Sequence, residues 1–151
     1  MRRTQELDVL AAALLDLVGF FSSPRQDDVL LEAARVSLDR ALFPLLVRIG
    51  ASGAIGIVQL AEKVGRDHST ISRQVAKLET LGLVIRRPAP ADQRVHEACI
   101  TRKGAALVLT ITKARRRLMG NLLRDWGVEE RRELARLNQK FAHALKAAQR
   151  P

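Results

Sequence analysis

The sequence predicts a mainly α-helical chain carrying a small β wing of two or three strands, with long helices before and after it. Three observations predict this. Apolar residues recur at three- and four-residue spacing through most of the 151 residues, which is the helical period. Glycines at Gly65 and Gly82 close two short helices near the middle. Between Gly82 and Thr101 the helical pattern lapses into two short extended runs, joined by a loop with prolines at Pro88 and Pro90.

The first helix is expected over about residues 4–20, where Leu7, Leu10, Ala11, Leu14, Leu17, Val18 and Phe21 make one apolar stripe. Ser22, Ser23 and Pro24 stop it. A second helical stretch begins near Val29, breaks near Ser37 and resumes through Leu38, Leu42, Leu45, Leu46 and Ile49. Pro44 removes a backbone donor there and is expected to bend the helix. Gly50 and Gly53 end it. Val58, Leu60, Ala61 and Val64 then form a short helix closed by Gly65.

Asp67 is placed to cap the next helix, its carboxylate accepting an amide proton from Ser69 or Thr70. That helix buries Ile71, Val75 and Leu78, and Gly82 suits the left-handed turn that ends it. Residues 83–87 read as a strand, 88–94 as a loop too long for a tight turn, and 95–100 as the returning strand. Thr101 caps a long helix bearing Leu107, Ile111, Ala114, Leu118 and Leu122. After Trp126 and Gly127 a last helix carries Leu134, Leu137, Phe141 and Leu145.

Composition narrows the partner. Lys and Arg total 26 against 16 Asp and Glu, a net charge of +10 that favours nucleic acid or an anionic membrane surface. The apolar run at 9–21 is interrupted by Asp16 and no clean cleavage site follows, so no secretory signal is expected. Nowhere do about eighteen uncharged apolar residues follow one another, so no membrane span is expected. A single cysteine, Cys99, forbids an intrachain disulfide, and a reducing cytoplasm is the expected compartment. Cys99 itself reads as a small buried hydrophobe.

No catalysis, cofactor or metal is expected. There is no glycine-rich phosphate loop, and His96 and Cys99 lie three apart on one strand, facing opposite ways. His68, His96 and His143 are too scattered for a zinc site.

A short helix, a glycine-containing turn, a second helix and a hairpin make a helix-turn-helix with a wing. Its second helix is expected in the major groove of double-stranded DNA. The candidate DNA-binding set on that helix is Asp67, His68, Ser69, Thr70, Ser72, Arg73, Gln74 and Lys77. Arg73 has the donors for guanine and Gln74 the donor–acceptor pair for adenine. His68 is either a phosphate contact or a solvated residue beside the cap. The wing adds Arg86, Arg87, Asp92 and Arg94; arginine suits a narrow minor groove, and Asp92 is expected to orient Arg94.

With these residues in place, the stretch from Val58 to Gly104 resembles the MarR family of winged helix-turn-helix transcriptional regulators. Its Leu-Ala-Glu helix appears as Leu60-Ala61-Glu62, and its recognition motif as Ser69-Thr70-Ile71-Ser72-Arg73. The Asp-x-Arg of its wing tip appears as Asp92-Gln93-Arg94, and the Thr-x-x-Gly of the next helix as Thr101 to Gly104. Ile100 replaces a usual leucine. The resemblance implies a homodimer on a pseudopalindromic operator, with Arg94 in the minor groove and Ser69, Thr70 and Arg73 contacting DNA. It also implies a repressor released by a small organic effector, in many relatives an aromatic anion. Here the aromatic wall is thin, drawn from Phe20, Phe21, Phe43 and Trp126, which leaves lipid-like effectors open. Relatives sensing oxidation use a cysteine near the N-terminus, whereas Cys99 lies on the second wing strand.

The expected organisation is an N-terminal dimerisation helix with its connector over 1–35, a DNA-binding domain over 36–102, and two C-terminal helices over 103–151. The dimerisation candidates are Leu7, Leu10, Leu14 and Leu17 with Leu134, Leu137, Phe141 and Leu145, whose stripes have no evident place on a compact winged-helix core. The alternative is a nucleoid-type DNA binder, or a winged-helix dimer that holds a partner protein and responds to no effector.

Overall fold

The computed structural model describes residues 2–148, with side chains from Thr4 onward. Its elements run α1 (Arg2–Phe21), α2 (Pro24–Ala34), α3 (Phe43–Ser52), β1 (Ala54–Gly56), α4 (Ile57–Val64), α5 (His68–Thr80), β2 (Val84–Pro88), β3 (His96–Ile100), α6 (Arg102–Leu122) and α7 (Val128–Ala148). The sheet has three antiparallel strands in the order β1-β3-β2. Three residues are too few for an alternating pattern, so only the pairing of Ala54, Ile55 and Gly56 with Cys99, Ala98 and Glu97 identifies β1.

Three expectations about the second helical stretch need correction. The chain is irregular from Arg35 to Leu42, and α3 starts at Phe43, later than the resumption expected at Leu38. Pro44 therefore stands in the first turn of α3, where its missing N–H has no helical acceptor to meet, and it opens the helix instead of bending it. Gly50 does not end α3 either. It lies inside the helix, where a Cβ would sit 3.1 Å from Ile100 Cδ1 and 3.2 Å from Val108 Cγ2. Its role is close approach of the helix to β3 and α6.

The chain divides into two compact units between Ala114 and Arg115. The first holds the core. Leu45, Leu46 and Ile49 of α3 meet Leu60 of α4, the α5 triad Ile71, Val75 and Leu78, and Leu83, Val84 and Ala98 of the wing root. Leu107 and Val108 of α6 pack against this cluster. The second unit is built of the end of α6 and of α7, in which no residue is buried. On α7, Glu130 accepts the Gly127 amide at 2.7 Å, and Glu129 and Glu133 pair with Arg132 and Arg136 three residues on.

The junction of wing and α6 depends on two residues of the Thr-x-x-Gly motif. Thr101 Oγ1 donates to Gly82 O at 2.7 Å and accepts the Gly104 amide at 3.0 Å. Gly104 is buried, and a Cβ there would lie 2.1 Å from the Leu83 carbonyl oxygen and 2.9 Å from Ile100 Cγ1. The obstacle is mainly backbone, so it has little freedom to give way. Gly104→Ala is expected to destabilise the chain by about 2 kcal/mol or more, as overpacking against fixed backbone does. A thermal melt unchanged from the unmodified chain would contradict this.

Candidate nucleic-acid interface

The recognition helix α5 is fixed at its start by Asp67. Its carboxylate accepts the Thr70 amide at 2.9 Å and the hydroxyls of Ser69 and Thr70 at 2.6 Å each. The Ser69 hydroxyl, then the Thr70 hydroxyl and amide, hold the Asp67 carboxyl far below the usual carboxylate range. Both hydroxyl protons point inward, so Ser69 and Thr70 turn oxygen lone pairs outward. Each oxygen can accept a further hydrogen bond, and that of Thr70 already does so from Arg73. Asp67, spent on its own helix, serves as the cap.

The remaining candidates on α5 separate into two groups. Arg73 and Lys77 are exposed, and Arg73 Nη2 reaches Thr70 Oγ1 at 3.4 Å. His68 is exposed on the first turn. It borders a groove of about 740 Å³ that continues past Ser72 to Arg94 and His96 of the wing. Ser72 and Gln74, by contrast, are half-buried and held from inside. Gln74 Oε1 accepts from Arg66 Nη1 at 3.0 Å, and the same nitrogen donates to Ala41 O. Gln74 Oε1 keeps one lone pair beside the Arg66 bond, so the donor–acceptor pairing with adenine expected from its side chain has to share that oxygen with Arg66.

Arg86 is likewise committed internally. It donates to Ser72 Oγ at 3.2 Å and to Ser72 O at 2.5 Å, its amide donates to Glu79 Oε1 at 3.0 Å, and Nε stands 3.3 Å from Glu79 Oε2. It ties β2 to α5. Arg87 lies opposite Glu97 in the β2–β3 register and donates to it at 2.9 Å, leaving about half of its side chain in solvent. Arg94 alone of the wing arginines is nearly all in solvent, at 91% side-chain exposure. Asp92 grips it from behind. Its two oxygens accept from Arg94 Nε at 3.1 Å and Nη2 at 3.3 Å, and Oδ1 also takes the Arg94 amide at 3.0 Å. That pairing draws the Asp92 carboxyl below its ordinary range. Sequence reasoning anticipated this pair but missed Arg66, Glu79 and Glu97, the partners that hold Gln74, Arg86 and Arg87. Their only signal was a charge of the right sign near each candidate.

Residues 38–96 match the MarR family. The chain is also 32% identical over 109 residues to the HTH-type transcriptional regulator YxaD of Bacillus subtilis, covering 72% of this chain and 76% of that one. The chain belongs to the MarR family. This MarR-family chain is a DNA-binding transcriptional regulator with a winged helix-turn-helix. RV1404 of Mycobacterium tuberculosis superposes on it with a TM-score of 0.72 at 25% identity, covering 91% of this chain and 92% of that one. A MarR family protein of Bacillus stearothermophilus shares the fold at a TM-score of 0.75 and 21% identity, over 96% of each chain. No single described helix is long and apolar enough to cross a membrane.

The Asp67 cap gives the MarR-family regulator an acid sensitivity of known sign. A carboxyl lowered on folding contributes stability above its unfolded pKa, about 3.9, and loses it as pH falls toward the folded value. Asp67→Ala is therefore expected to melt lower than the unmodified chain at pH 7, with the gap narrowing below about pH 4. Melting curves over that range check it; a gap that stays constant into acid would show that the carboxylate charge contributes nothing.

Proposed function

We propose that this regulator is a homodimeric repressor of a pseudopalindromic operator, released by a small organic effector. The observation that carries the DNA-reading part is the contrast between committed and available side chains. Ser69, Thr70, Arg73 and Lys77 share the outer face of α5, and Arg94 projects from the wing with its direction set by Asp92. On this reading α5 enters the major groove, Arg73 reads guanine, and Ser69 and Thr70 accept from base amino groups. Arg94 enters the adjoining minor groove. Arg87 and His68 border this surface and meet phosphates, while Arg86, Ser72, Gln74 and Asp67 keep the reading residues in place.

Pairing is supported by apolar surface that one copy leaves in water. On α1, Leu7 is 60% exposed, Leu10 and Leu17 are exposed and Leu14 is half-buried; on α7, Leu137 is 47% exposed and Leu134, Phe141 and Leu145 accompany it. A two-fold partner would cover both stripes. Two α5 helices related by that axis would read two half-sites one helical turn apart and block polymerase from the DNA between them. The aromatic contribution to an effector site is thinner than the sequence allowed, because Phe43 is buried in the core.

Leu137→Asp puts a charge into the proposed interface. It is expected to shift the chain from dimer to monomer or unfolded material and to lower DNA affinity with it. A folded monomer of the unmodified chain at micromolar concentration in sedimentation would remove the dimer from the proposal. Footprinting checks the operator. Protection of one short inverted repeat supports a regulator, whereas an evenly coated fragment supports a nucleoid-type binder.

Loss of Arg73 and loss of Arg94 should differ in kind. Arg73→Ala is expected to relax base preference at symmetric positions by about 1–3 kcal/mol per half-site. Arg94→Ala should lower affinity with less change in preference, since the minor groove separates A·T from G·C and little else. Asp92→Ala should weaken binding as Arg94→Ala does, although it removes a negative charge. Titrations at fixed salt decide between the two roles of Asp92, and tighter binding by Asp92→Ala would exclude the orienting one.

A further inference from the structure

Behind the recognition helix lies a groove of about 410 Å³, within the range of small-ligand sites. Leu38, Leu81, Leu83 and Leu107 form its apolar lining, no aromatic or acidic side chain borders it, and Arg35 and Lys103 supply two cations. Leu81 and Leu83 flank Gly82 at the end of α5, so the groove touches the element that reads DNA.

Arg35 is the unusual member. It is the one non-glycine residue with positive φ among those described, at φ 55° and ψ 42°, where it ends α2. Glycine or asparagine takes that conformation at lower cost. Its backbone amide donates to Glu32 O at 2.9 Å, while no ion pair or side-chain bond with the described residues engages its exposed guanidinium. Packing and hydrogen bonding among the described residues therefore give no reason for arginine here. Lys103 Nζ donates to Leu81 O at 2.9 Å and keeps two further N–H groups.

We propose that this groove binds a small aliphatic carboxylate, whose chain lies on the leucines and whose charge is held by Arg35 and Lys103. Two cations with no acid beside them select an anion, and a lining of branched aliphatic side chains without a ring to stack on selects an alkyl body. Binding also supplies a control step. A carboxylate that engages the two remaining N–H groups of Lys103 draws its ammonium toward the ligand and away from the Leu81 carbonyl, which loosens the end of α5. That step deepens the effector part of the proposed function and rests on it; the binding itself does not.

The test uses the full chain free of DNA, titrated with octanoate and followed by amide NMR. Saturable shifts are expected at Leu38, Leu83 and Leu107, with octan-1-ol and benzoate both weaker than octanoate. Arg35→Gly fits the backbone better than arginine, so its melting temperature should hold or rise while octanoate affinity falls about tenfold, the loss of one charge-assisted contact. Arg35→Lys should recover much of that loss. Octanoate binding unchanged in Arg35→Gly, equal binding of the alcohol, or benzoate preferred to octanoate would each overturn the assignment. So would an absence of shifts up to about 10 mM octanoate, a very weak affinity, which is also the result if a second copy covers the groove. Release of the footprinted operator by octanoate, from the unmodified chain but not from Arg35→Gly, tests the control step separately. Failure of DNA binding would leave the titration standing.

Discussion

One face of α5 is wholly committed to the core, and the rest of the site follows from that. Ile71, Val75 and Leu78 are completely buried and fall in a narrow stripe at the helical period. Burying three branched side chains is worth several kcal/mol, on the order of 1.5–3 each, far more than the exposed ion pairs nearby. The helix cannot roll about its axis without exposing that stripe. Ser69 and Arg73 lie nearly opposite that stripe, with Thr70 and Lys77 on its flank, and the buried stripe fixes all four relative to the core.

The same geometry explains what the sequence could and could not disclose. The buried stripe, its Asp67 cap and the Gly82 turn were legible because each follows from local rules of period and backbone conformation. Ser72 and Gln74 were not, because they stand on the flanks of the stripe, where a polar side chain faces either water or a neighbouring element. Arg86 from the wing and Arg66 from the turn before α5 decided the matter by bonding to them. Strand β1 escaped for a related reason: its three residues are extended because β3 offers them a partner. Pro44 shows how a proline's meaning turns on a boundary. The same residue bends a helix from within and begins one from its first turn.

The excess of basic residues is likewise not one surface. Arg66 and Arg86 are absorbed in joining elements to one another, and Arg87 is partly neutralised across the sheet by Glu97. What remains for a polyanion is a smaller set, and its specificity comes from placement. An arginine with a carboxylate behind it, as Arg94 has in Asp92, has less rotamer freedom to lose when it binds than one waving free. On the proposed reading, the acid at the wing tip improves the contact of Arg94 by stiffening it.

Cys99 carries a last consequence. It sits on β3, the middle strand of the sheet, opposite Ala54 on one side and Ile85 on the other, and is almost wholly buried. Burial pushes its thiol above the usual range, with the nearby Arg87 pulling the other way. A thiol so placed is protonated and shielded, and an alkylating reagent meets it when the side chains covering it move aside. The chain therefore carries a native stopwatch for its wing, since the pace at which this lone sulfur is labelled counts how often its cover on that face opens.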